Sequence, residues 1–128
     1  MAVTRTIKGT LDRLLVSGGT EITFLGPTAA GNVGDLTRAF RVNPAATGDI
    51  IVKIDASSAL TDLEIFREDS FAANSAPTGY FKYFNVAKAG KQKGTVAVTV
   101  TDATKNYIVL MSFDDYSDAS YSGSVIIP

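Results

Sequence analysis

The chain contains no cysteine, no histidine and no tryptophan, and only 4 prolines and 2 methionines among its 128 residues. Without thiols it has no disulfide framework, thiolate nucleophile or iron–sulfur site. Without imidazole it has no Ser-His-Asp or Cys-His centre, loses the commonest general base, and lacks most of the ligands that build zinc and copper sites. Charge of one sign is not in surplus either: 12 Lys and Arg stand against 13 Asp and Glu, a formal net charge of −1. That balance argues against nucleic acid or an anionic membrane as the main partner. No apolar run approaches the roughly 20 residues that span a bilayer, and no apolar segment follows a basic opening as in a secretory signal. Two expectations follow: a protein that works where it is made, or a domain of a longer exported product.

What is abundant is branching at Cβ. Thr, Val and Ile number 14, 11 and 9, residues that suit a pleated, half-buried surface. Apolar positions recur with a period of two. Phe40 and Val42 share a face with Leu36, and Ile50, Val52 and Ile54 form a second such set. Leu63 with Ile65, then Val96, Val98 and Val100, then Tyr107, Val109, Met111 and Phe113 repeat the pattern. Tyr121, Gly123, Val125 and Ile127 close the chain in the same way. Segments 4–15, 21–25 and 80–86 are weaker strands, and 57–63 has room for one helical turn. Gly-, Pro-, Asn- and Asp-rich turns fall at 17–20, 26–35, 43–49, 74–79, 89–94 and 102–106,. Short strands with turns at intervals of about 8–12 residues define an all-β chain, an antiparallel β-sandwich or jelly roll of about eight or nine strands. A chain of this size buries about two-thirds of its unfolded surface and needs no metal or disulfide to fold. With no internal repeat or linker it reads as one domain, 1–128. Its first 16 residues are either a first strand or an arm that extends to a neighbour's sheet.

Few residues carry a pattern that points to chemistry. Asp114, Asp115 and Asp118 follow a strong strand and offer oxygen ligands to Ca²⁺, but no glycine or closing glutamate completes a calcium loop; the alternative is a solvated acidic loop. Asp55 and Asp62 flank a short loop and are the only pair that suggests glycoside hydrolysis. Loop aspartates more often form caps and turns. In the Gly-rich loop 26–34 the final Gly34 is followed by Asp35, so the Lys-Ser/Thr of a phosphate loop is missing,. No catalytic residue, resident metal or cofactor is expected. Lys88, Lys91 and Lys93 form the densest positive cluster, read as a solvated turn, an edge guard or a contact for an acidic protein surface. Tyr80, Phe81, Tyr83 and Phe84 put aromatics on both faces of one strand. They suit a core strand covered by a loop, a protein interface, or a sugar platform made by Tyr83 with Phe81 or by Tyr80 with Phe84.

Segments 36–42, 49–55 and 60–67, the last carrying Asp62-Leu63-Glu64-Ile65-Phe66, precede a closing pair that runs from Asn106-Tyr107-Ile108-Val109 to Ser120-Tyr121-Ser122-Gly123-Ser124-Val125. Over about residues 36–127 this resembles the pre-peptidase C-terminal domain family, whose mid-domain Asp-Leu strand and terminal Tyr-rich pair it shares. The resemblance implies a jelly-roll-like sandwich that binds carbohydrate or another surface, normally attached to an exported hydrolase. In size and composition the chain also looks like a bacteriophage capsid decoration, or cement, protein. That likeness implies a non-enzymatic virion protein on the capsid exterior that forms a homo-oligomer and contacts the major capsid protein or another virion protein. If it is instead a domain of an exported protein, the location is extracellular.

Overall fold

A computed structural model describes residues 2–26, 37–56, 60–70, 80–85, 92–113 and 120–128. Ten strands lie within them: β1 (Val3–Thr10), β2 (Leu14–Val16), β3 (Ile22–Gly26), β4 (Thr37–Val42), β5 (Gly48–Ala56), β6 (Leu60–Arg67), β7 (Tyr80–Asn85), β8 (Gln92–Val100), β9 (Tyr107–Phe113) and β10 (Ser120–Ile127). They form two five-stranded sheets, ordered β2-β1-β10-β5-β8 and β3-β4-β9-β6-β7, with every pairing antiparallel. The chain is thus the all-β sandwich expected from its alternation.

The pairings are nested. β1 pairs with β10, β4 with β9, β5 with β8 and β6 with β7. This is one long hairpin, folded at β6 and β7 and rolled so that successive pairs fall alternately in the two sheets, the jelly-roll arrangement. β2 and β3 are additions to it, each an edge strand beside its sequence neighbour.

Alternation explains the interior. Ile50, Val52, Ile54, Val96, Val98, Val100 and Val125 of the first sheet meet Phe40, Val42, Leu63, Ile65, Val109 and Met111 of the second in one buried cluster. Each fully buried aliphatic side chain contributes about 1.5–3 kcal/mol. Phe113 and Tyr121 stack across the two sheets at one end, ring centroids 5.8 Å apart. The central strand β10 approaches β5 so closely at Gly123 that a Cβ there would run into the Lys53 carbonyl.

Three details differ from the sequence reading. Segment 4–15 is two strands rather than one, because the Thr10 amide donates to the Arg13 carbonyl (3.0 Å) and closes a turn; β1 then lies inside its own sheet between β2 and β10. Residues 60–63 are strand and not a helical turn, since β9 pairs with Leu60, Asp62 and Leu63 and β7 with Asp62 and Leu63. The one helical turn among the described residues is a 3₁₀ turn at Glu68–Ser70. Gln92 to Gly94 continue β8 instead of turning, because Ala56, Asp55 and Ile54 pair with them.

Candidate functional site

The outward face of the first sheet is built mainly from the polar half of each alternation, with Ile51, Ile126 and Leu15 interspersed. Thr4, Thr6 and Lys8 of β1 are exposed, as are Ser122 of β10, Lys53 of β5 and Thr95, Ala97 and Thr99 of β8, while their sequence neighbours fill the core. Hydrogen-bond register aligns these positions into rows that cross the strands. One row runs Leu15, Lys8, Ser122, Asp55 and Lys93. Leu15 is 53% exposed, the one large hydrophobic side chain so exposed among the described residues.

A cleft of about 540 Å³ opens over this row and the adjoining β1–β2 turn. Its walls combine two cations, Lys8 and Arg13, one carboxylate, Asp55, and the hydroxyls of Thr10, Ser120 and Ser122. Gly9 and Tyr121 also line it. They are register partners, and the Tyr121 ring lies so close to Gly9 that a Cβ there would stand 2.5 Å from the tyrosine Oη and 2.7 Å from the Arg13 carbonyl oxygen. The Tyr121 hydroxyl is buried with no hydrogen-bond partner among the described residues. Burial pushes its pKa well above the ordinary phenol range. Arg38 reaches the same end from the second sheet. It is 5% exposed, and its Nε donates to the Leu11 carbonyl oxygen at 2.5 Å, tying the β1–β2 turn to β4. A mixed rim of cations, carboxylate and hydroxyls beside an apolar Leu15 suits a polar, hydroxyl-bearing ligand. It sets a few hydrogen-bond donors and acceptors on a largely apolar lining, as small-molecule pockets do,.

The outward face of the second sheet is different. Ala39, Phe66 and Ile108 are buried there, with Leu25 and Leu110 packed against them. Arg41, the register partner of Ile108, donates through Nε and Nη2 to the two Glu68 carboxylate oxygens, both at 2.8 Å. The pair spans β9 from β4 to the end of β6. The bonded guanidinium holds the Glu68 carboxyl below its usual range, and Arg67 does the same to Asp69. At the edge between the sheets Arg5 pairs with Glu21 at 2.9 Å and lowers that carboxyl's pKa.

The residues singled out from sequence fall in several places. Asp114, Asp115 and Asp118 lie outside the described residues, as do Lys88, Lys91 and loop positions 27–34. Lys93 sits on β8 opposite Asp55 rather than in a turn. On β7, Tyr83 is opposite Glu64, Phe84 opposite Leu63 and Tyr80 opposite Phe66, with a register shift beside Phe66. Tyr80 and Tyr83 thus both occupy register positions opposite residues of the outward alternation. Asp55 and Asp62 belong to strands of different sheets. Among the described residues no group of three or more Asp or Glu side chains is placed to hold a metal ion, and no helix is long and apolar enough to cross a membrane. Sequence reasoning missed the cleft, because Leu15, Lys8, Ser122 and Asp55 come from four strands between positions 8 and 122 and only the register aligns them. No family model matches the sequence, and the search of curated proteins finds no match.

Proposed function

We propose that this protein is a non-enzymatic structural protein of a virion, a capsid decoration subunit on the particle exterior that self-associates and bridges capsid subunits. The observation that supports it is the outward face of the first sheet: largely exposed, mixed in Thr, Ser, Lys and Asp with Ala97, Ile51 and Ile126 among them, and ending at a long edge strand. Such a face on a closely packed sandwich suits docking by shape. Jelly rolls recur in viral capsids and in lectins alike, a fold-level analogy that agrees with the reading without carrying it. In this role each contact is modest, and repetition over many copies multiplies it. Lys88, Lys91 and Lys93 would add electrostatic register against an acidic neighbour. Light scattering of the pure chain and co-sedimentation with capsid particles test the proposal. An oligomer, or tight retention on particles, supports it; a strict monomer that never sediments with particles removes it.

The cleft favours a second reading, a carbohydrate- or surface-binding module of the pre-peptidase C-terminal type. Asp55, Ser122 and Thr10 supply the acceptors and donors that sugar hydroxyls require. Retention on a polysaccharide column that is lost in Asp55→Ala supports this reading. Retention lost only in Tyr80→Ala or Tyr83→Ala would move the sugar site to β7, and no retention on any glycan would remove it.

A further inference from the structure

Among the described residues the two sheets have four edge strands, and three of them are blunted. β2 has only 3 residues. β3 has 5 residues and a register shift between Phe24 and Gly26. β7 has 6 residues and a register shift beside Phe66. Shortness and irregularity are the usual protections of an exposed ladder against pairing with another chain. β8 has neither: it runs for 9 residues in unbroken register with β5. From Gly94 to Val100 it carries no charge and no proline, the composition of a segment that pairs readily.

We infer that β8 is the edge through which two copies of this chain join, antiparallel and centred on Ala97, so that the two first sheets become one continuous sheet. This rests on the self-association proposed above and names its surface. The segment is nearly palindromic about Ala97: Val96 mirrors Val98 and Thr95 mirrors Thr99. A two-fold interface places each residue against its mirror on the other copy. Here it puts Val against Val on the buried side and Thr against Thr on the exposed side. Charge order favours the same geometry. Lys93 lies at one end of the strand and Asp102 just past the other. An antiparallel pair centred on Ala97 brings the lysine end of each strand to the aspartate end of the other, with Lys93 opposite Thr101, one residue from Asp102, whereas an in-register parallel pair would bring like ends together.

The chain lacks cysteine, so single introduced thiols report the register cleanly. Across the two-fold, position 97 meets itself with Cα atoms about 4.5–5.5 Å apart, within disulfide reach. Position 95 lies about 13 Å from its own mate. Oxidised Ala97→Cys is expected to run as a covalent dimer, and Thr95→Cys as a monomer. Thr95→Lys combined with Thr99→Lys sets introduced lysines opposite each other twice. It is expected to weaken the dimer up to about tenfold, and Thr95→Lys with Thr99→Glu to restore it. All these positions are exposed, and the side-chain bond lost in the Thr99 variants is the exposed one to Asp49, so thermal melts are expected to stay close to the parent. An oligomer by light scattering in which Ala97→Cys does not cross-link overturns the β8 edge and leaves the assembly reading standing. A parent chain that is monomeric, with no cross-link from Ala97→Cys, overturns both. A disulfide from Ala97→Cys to a cysteine of a capsid protein, with no homodimer, overturns the second copy as the occupant.

Discussion

The outward faces of the two sheets differ although both sheets have five antiparallel strands. On the first sheet the outward alternation is mostly Thr, Ser, Lys and Asp, with Ile51 and Ile126 half-buried among them, and none of its described side chains is fully buried. On the second, Ala39, Phe66 and Ile108 are as buried as the core, and the Arg41–Glu68 pair crosses β9 beside them. One sheet therefore has a single buried face and the other has two. The difference is written in periodicity: β8 alternates strictly, while β9 reads Tyr107-Ile108-Val109-Leu110-Met111, a continuous apolar run of the kind a doubly covered strand shows.

This contrast can be broken or sharpened by substitution. The largest effect is expected at Phe66→Ala. If the outward side of the second sheet is a second core, this change lowers stability by about 3–5 kcal/mol in denaturant unfolding, as much as an interior aromatic; a change under about 1 kcal/mol would reduce that side to ordinary surface. Next comes Gly9→Ala on the first sheet, where the added Cβ meets the Tyr121 ring. Overpacking of this kind costs about 1–3 kcal/mol, and combining it with Tyr121→Phe relieves only part, because the ring carbon Cζ is 2.6 Å away as well.

Tyr121→Phe alone is expected to stabilise the fold by about 1 kcal/mol, since it removes a buried hydroxyl that lacks a partner among the described residues,. It also extends the alkaline limit. The folded pKa of Tyr121 is raised by burial, so its contribution is fully present below the unfolded value near about pH 10 and is lost as pH rises beyond it. In the parent, tyrosinate absorbance and unfolding are expected to rise together above about pH 10. At the acid end the sign reverses. Glu68, Asp69 and Glu21 have lowered folded pKa values. Their contribution is present above the unfolded values near about pH 4 and disappears as pH falls through the folded ones. Melting temperature is expected to be flat from neutral pH to about pH 5 and to drop below about pH 4, with Glu68→Gln flattening part of the drop. Smallest of all, Thr4→Ala and Thr95→Ala on the open face are expected to change stability by less than about 0.5 kcal/mol. A larger loss in either would mean that this face is covered.

Most of the fold was legible because half-buried strands announce themselves. Val96, Val98 and Val100 sit in the core as their spacing requires, and so do Ile50, Val52 and Ile54. The break between β1 and β2 was not legible, since Leu14-Leu15-Val16 is apolar without alternation and the turn depends on a backbone bond from Thr10 to Arg13. Nor was the strand character of Gln92 to Gly94, where Lys and Gly imitate a turn and pairing with β5 decides otherwise. The cleft was illegible for a deeper reason. Lys8, Asp55 and Ser122 become neighbours only through the register of β1, β5 and β10, and no local motif encodes a register between distant strands. Of the residues chosen from sequence, Asp55 entered the cleft, although the pairing imagined for it, with Asp62, joins strands of different sheets.

The nested pairing also governs the order in which this chain can mature during translation. β10, at the carboxyl-terminal side, lies in the middle of the first sheet between β1 and β5. Until it emerges from the ribosome, both of those strands present bare ladders, and the sheet cannot close however long the earlier segments have waited. Contacts of such wide sequence separation slow folding, and strands left unpaired meanwhile invite aggregation. A nascent chain arrested just before β10 should therefore be the form that most needs a chaperone.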